Sequence, residues 1–269
     1  MSAIIVEKDG YLATITINRP QVHNAFSPES LVRLADAWQS LAADPDVRVI
    51  IITGAGGKSF SVGADLGRLT PLMSGARPPE DEWDRRLLAD PKIGDRSALR
   101  FPQPYPKPII AAIEGFCYAG GLETMTGTDM RVASETATFA LQEVKWSLIP
   151  AKGSIARLPR QIPYCKAMEL MLTADRIDAN EALRIGLVNY VVPAGGALAK
   201  ARELALKVAD NGPLAISAAK VAAQEALGRP LAEAYEIEDR AWAKVLASED
   251  AREGPRAFME KRKPVYRGK

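Results

Sequence analysis

The stretch GFCYAGGLETMTGTD, residues 115–129, sets a carboxylate, Glu123, among small and apolar residues just after two glycines. A carboxylic acid in such surroundings is costly unless it is paired or used, so the position is a candidate for acid–base chemistry. Gly120 and Gly121 fall where a strand hands over to a helix, and the unpaired N–H groups of a helix start favour an anionic oxygen. Glu123 lies about one turn further on, so donor and carboxylate share a face and can meet one substrate. A second carboxylate, Glu143, follows a short strand in FALQEVKWSLIP, and the loop of IITGAGGKSFSVGADL, residues 51–66, frees backbone N–H groups near Gly63 and Ala64. Small residues there permit close approach of a ligand oxygen. Each feature alone has a plainer reading: Glu123 as a complement to the helix dipole, Glu143 as a solvated surface residue, and the loop as a glycine-rich turn. The GGKS inside the loop is not a phosphate loop, because the glycine required five positions before its Gly-Lys-Ser is Ile52.

These residues need a scaffold. AIIVEKDG and YLATITIN flank Asp9-Gly10 and predict an opening β-hairpin. Ser27 as cap, Pro28 at the first helical position and apolar residues at helical spacing predict a helix that runs into the strand RVIIITG. An irregular stretch from about 70 to 107 follows, and ARPPEDEWDRRLLADPKIGDR within it is the expected mobile surface segment. PIIAAIEG, DMRVASE and ATFAL read as strands and GGLETMTGT as a short helix; from Ala151 onward the pattern is almost wholly helical. The expected class is α/β, with a helical C-terminal part.

The 269 residues are 47% hydrophobic, enough for a sizeable core, and the net charge of +2 gives no global field for nucleic acid, although EKRKPVYRGK is locally basic. No apolar run approaches the ~20 residues of a membrane span and the start lacks a leader pattern, so a cytoplasmic protein is expected. Cys117 and Cys165 lie far apart and the chain has one histidine, which argues against a metal centre or a disulfide framework; both thiols are expected to be packed.

NRP (18–20), NAF (24–26), FSVGADL (60–66), KPIIAAIEGFCYAGGLE (107–123), LQEV (141–144), ALRIGLVNYVVP (182–193) and FMEKRKPVY (258–266) occur in the order found in one family. Over essentially its full length the chain resembles the crotonase superfamily, and most closely its enoyl-CoA hydratases. The resemblance implies a spiral of ββα units over residues 1–195, carrying the active site, and a helical oligomerisation region over 196–269 that builds trimers, often paired into hexamers. It implies an acyl-CoA thioester as substrate, with coenzyme A part of that substrate and no separate cofactor. It sets the catalytic pair on Glu123 and Glu143 and the oxyanion-hole N–H groups on Ala64 and Gly120. Coenzyme A and substrate contacts fall on Val22, His23, Ala25, Ala64, Asp65, Leu66, Arg68, Gly120, Trp146 and Lys261. Two positions depart from the family pattern: Gly67, followed by Arg68, replaces a common lysine near the nucleotide phosphates, and Lys152 replaces a small neutral residue. Lys152 is expected either to pair with Glu143 or to point to solvent. Retention of both glutamates favours hydration over the isomerase, decarboxylase and thioester hydrolase chemistries of related enzymes. RNA binding through the basic tail is the remote alternative, and a nucleic-acid partner is not expected. The acyl group is left open.

Overall fold

The computed structural model describes residues 2–269. Strands β1 (Ile4–Asp9), β2 (Leu12–Ile17) and β3 (Val49–Gly54) lead into β4 (Ser59–Ser61), and helix α1 (Pro28–Ala43) joins β2 to β3. Three short helices follow, α2 (Leu69–Met73), α3 (Glu82–Ala89) and α4 (Ile93–Ser97). Next come β5 (Ile109–Ile113), β6 (Phe116–Tyr118), α5 (Gly120–Met125), β7 (Met130–Ser134) and β8 (Thr138–Ala140). The remainder comprises α6 (Ser154–Gln161), α7 (Tyr164–Thr173), β9 (Ile177–Asp178), α8 (Ala179–Arg184), β10 (Tyr190–Val192), α9 (Ala197–Ala209), α10 (Pro213–Ala226), α11 (Leu231–Leu246) and α12 (Asp250–Met259). No described helix is long and apolar enough to cross a membrane.

Two sheets carry the spiral. The larger has the order β1-β2-β3-β5-β7-β10 and the smaller β4-β6-β8-β9. Each turn contributes one strand to each sheet, so β3, β5 and β7 lie parallel in the first and β4, β6 and β8 parallel in the second. The expected hairpin is present, with Asp9 opposite Leu12 and Gly10 at φ +57° in the turn. β3 and β5 are apolar almost throughout because both faces are covered. Ile50, Ile52, Ala111 and Ile113 face a core with Leu34 and Trp38, while Val49, Ile51, Ile110 and Ala112 face Ala201, Leu204 and Ala205 of α9. α9 therefore packs with the spiral although it follows residue 195, and α10 is tied to it through Lys220, whose Nζ reaches Asp129 at 2.7 Å and the Lys107 carbonyl at 2.6 Å.

The structure corrects three expectations. The segment after Ala151 is not wholly helical: β9 pairs antiparallel with β8 and β10 parallel with β7, and both strands are too short to leave a period in the sequence. The stretch expected to be a mobile surface segment is folded into α3 and α4, which share a small core of Val32, Ala35, Leu69, Leu72, Leu87 and Ile93. There the buried Asp84 accepts bonds of 2.5 and 2.9 Å from Arg77. Cys117 is packed as expected, but Cys165 is exposed on α7. Trp38, fully buried on α1, donates from Nε1 to the Ser97 carbonyl at 3.3 Å, and Tyr105 donates to the Trp38 carbonyl at 2.7 Å. These bonds tie α4 and the stretch before β5 to α1.

Candidate active site

The small sheet delivers three site elements from the same edge: the loop after β4 carries Ala64, the turn after β6 leads to Gly120, and Glu143 follows β8. Phe26 sets the first. Its N–H donates to the Gly63 carbonyl at 2.7 Å and its carbonyl accepts from Asp65 at 2.9 Å, a one-residue parallel bridge. In that pattern the N–H of Ala64, between the two, faces away from Phe26. A Cβ on Gly63, at φ +87°, would stand 2.7 Å from the Gly120 nitrogen, and one on Gly121 would stand 2.3 Å from the Ser61 carbonyl oxygen. Both positions therefore require glycine for the two loops to meet. Ala119, at φ 46° and ψ −126°, is held in a sparsely populated backbone region by its N–H bond to Ala140 and by the bond its carbonyl accepts from Glu123. This turn brings Gly120 up against Gly63, the residue before Ala64. Among the described residues, neither the Ala64 nor the Gly120 N–H has a protein acceptor.

Both N–H carriers and both glutamates line one cavity of about 360 Å³, whose other walls include Phe26, Leu31, Leu66, Leu69, Trp146 and Leu148. Glu123 is 5% exposed. Burial in these apolar walls, and then the negative charge of Glu143, push its pKa up to about 7 against a bond of 2.5 Å that its Oε1 accepts from the Lys152 N–H. Glu143 stands in a single 3-10 turn, Glu143–Trp146. Burial raises its pKa too, and its Oε2 is buried with no partner among the described residues. Two such carboxyls resist double ionisation, so one proton is readily held between them. The cavity thus offers unpaired donors for a developing oxyanion beside a carboxyl pair that can take and give a proton.

Of the residues expected at the site, Glu123, Glu143, Ala64, Gly120, Leu66 and Trp146 come together here; Val22, His23, Ala25, Asp65, Arg68 and Lys261 do not line the cavity. Val22 and His23 are exposed, with His23 edge-on to Phe116 at 5.7 Å, and Ala25 is buried. Lys261 is exposed in the turn after α12. Arg68 pairs with Glu80 and, at 3.1 Å, with Asp81. Asp65 accepts from Arg19 at 2.9 Å and from the N–H groups of Gly67 and Arg68. In the basic tail, Arg262 pairs with Glu253 and Glu260. Of the two placements expected of Lys152, the pairing with Glu143 is not found: its half-exposed side chain turns outward, where Nζ reaches Asp95 at 3.2 Å, and its backbone N–H is the group that touches a glutamate.

Reading by residue type missed the ties that hold the loops. Asn24, fully buried at φ 57°, donates to the carbonyls of Ala55 at 2.9 Å and Ser59 at 2.7 Å and accepts from the Arg19 N–H. Arg19 also donates to the Ala25 carbonyl at 2.7 Å. The available signal was an asparagine in a short loop, the residue type that best tolerates positive φ after glycine.

The sequence model for enoyl-CoA hydratase/isomerase matches residues 7–269, and the chain belongs to that family. It is 44% identical over 265 residues to an enoyl-CoA hydratase of Mycobacterium tuberculosis, covering 98% of this chain and 96% of the relative. It is 36% identical over 263 residues to the crotonyl-CoA hydratase of Syntrophomonas wolfei, covering 98% and 97%. Among solved structures, an enoyl-CoA hydratase from Mycobacterium tuberculosis superposes with a TM-score of 0.88 at 36% identity, covering all of both chains. The spiral fold is the one seen in that solved structure.

Because the folded-state pKa of Glu123 lies above its ordinary value of 4.5, this group favours folding at low pH and ceases to do so as pH rises from 4.5 through about 7. Glu123→Gln, which removes the buried charge, should stabilise the protein on the order of 2–3 kcal/mol at about pH 8 and little at about pH 4.5. Thermal unfolding of both proteins at the two pH values checks this, and an equal difference at both would refute it.

Proposed function

We propose that the protein is an enoyl-CoA hydratase, adding water across the double bond of a 2-enoyl-CoA thioester. The observation that carries the reading is the convergence of two carboxyls and two unpaired backbone N–H groups on one apolar cavity. In this reading Ala64 and Gly120 donate to the thioester oxygen as it gains enolate charge, each donor typically contributing ~10²–10³-fold in rate. Glu123 and Glu143 hold one water between them. As the water oxygen bonds to C3, Glu123 takes one of its protons, and the proton already held by the pair passes from Glu143 to C2 of the enolate. The proton on Glu123 then returns to Glu143 through solvent or product exchange, so one water is consumed and both carboxyls are reset. Coenzyme A enters as part of the substrate, and no further cofactor is called for. The apolar walls suit a hydrocarbon acyl group.

Turnover is followed by loss of enoyl absorbance across a panel of 2-enoyl-CoA thioesters. Glu123→Gln and Glu143→Gln should each slow hydration by ~10²–10⁴-fold, and the double variant should lose far less than the product of the two, as residues acting as a unit do. Hydration that survives Glu123→Gln while Glu143→Gln abolishes activity would instead indicate an isomerase working with one carboxylate.

We also propose a trimer, or a hexamer of two trimers, assembled through α10 and α11. Supporting this, α10 has no buried residue, and Leu227, Leu231, Tyr235, Trp242 and Leu246 are exposed around it and α11, an apolar area that isolated soluble chains rarely present. Light scattering should return a mass of three or six chains; a monomer at micromolar concentration would contradict it.

A further inference from the structure

The bond from the Lys152 N–H to Glu123 is one end of a longer connection. The same peptide unit presents the Ala151 carbonyl on its other side, where it accepts from Nη1 of Arg100 at 3.0 Å. Arg100 is held in turn by Asp95, whose Oδ1 it meets at 2.9 Å, and the Lys152 Nζ closes the ring on that oxygen at 3.2 Å. A cation bonded to the carbonyl of a peptide strengthens the N–H of the same peptide as a donor, since hydrogen bonds in a chain polarise one another. Arg100 and Asp95 lie outside the cavity lining.

We propose that Arg100, anchored by Asp95, is a positioning residue for Glu123 and acts on it through the Ala151–Lys152 peptide. The substrate takes no part in this contact, so its effect is on the carboxyl's protonation and orientation. The charged groups facing Glu123 are Glu143 from the turn after β8, Lys152 before α6, Arg157 on α6, whose Nη1 lies 3.4 Å from the Glu123 carbonyl, and Arg100 just after α4 with Asp95 on that helix. Burial and Glu143 raise the Glu123 pKa, while the Lys152 N–H, the Lys152 cation and Arg100 lower it. Removing Arg100 therefore moves the titration of Glu123 upward. The Arg100 side chain is 42% exposed, so solvent screens the direct charge effect and leaves the peptide route as the larger part.

The test is an infrared titration of the ligand-free protein, with the Glu123 carboxyl isolated by subtracting the Glu123→Gln variant in each background. In Arg100→Met the midpoint should rise by roughly half a pH unit or more, Arg100→Lys should restore most of it, and the rise should persist at about 0.5 M salt, where exposed charges are screened. Arg100→Gln serves as a second neutral variant, with circular dichroism confirming that each protein is folded. An unmoved midpoint in a folded neutral variant, or a rise abolished by salt, overturns the proposal. The kinetic consequence rests on the hydratase reading: in Arg100→Met the acid limb of kcat/KM should move up by the same amount with KM unchanged. A moved midpoint in a protein that hydrates no thioester would refute that reading and leave the positioning role standing.

Discussion

The constraint on which the rest depends is the cost of keeping Glu123 inside an apolar cavity beside a second carboxyl. Ionised there without partners, it would carry a desolvation penalty of several kcal/mol, so the protein supplies one backbone donor and lets the pKa drift up to about 7. That intermediate position has chemical use, because a group titrating near neutrality both accepts and releases a proton at working pH. Full neutralisation of Glu123 by a lysine side chain would have removed that property. Turning the Lys152 side chain out to Asp95 preserves it.

The surrounding architecture follows from the need to bring backbone donors up to the same cavity. Three parallel strands end together, and each is continued by a loop that could not hold its shape alone. Gly63 and Gly121 let the first two loops touch, and the unfavourable backbone of Ala119, costing on the order of 1–3 kcal/mol, is held by hydrogen bonds on both of its sides. Asn24, Arg19 and Asp65 fasten the NAF loop to the turn after β3 and to the loop that carries Ala64. The large sheet, apolar on both faces, packs into a dense core that gives these loops a rigid base.

Much of this was legible in the sequence because it rests on local chemistry. A glycine pair before a glutamate states its own geometry, and the long apolar runs of β3 and β5 and the capped helix α1 carry unambiguous periods. β9 and β10 were hidden because they are only two and three residues long and owe their existence to the strands they pair with. The helices α3 and α4 were hidden by their charge and proline content, although Leu87 and Ile93 mark their buried side. The partner of Glu123 was illegible for a different reason: it is a backbone N–H, which every residue but proline carries, and only the fold decides which one arrives. Lys152 stood out in the sequence for its side chain, weighed against Glu143 and solvent, whereas the group that meets Glu123 is its backbone N–H.

The central claim is that the Ala64 and Gly120 N–H groups and the two glutamates act on one thioester. A crystal structure with an unreactive 3-oxoacyl-CoA bound tests it most directly. The thioester oxygen is expected about 2.7–3.1 Å from both nitrogens, with C3 turned towards Glu123 and Glu143. A thioester seated elsewhere, or one whose oxygen meets neither nitrogen, would contradict the claim.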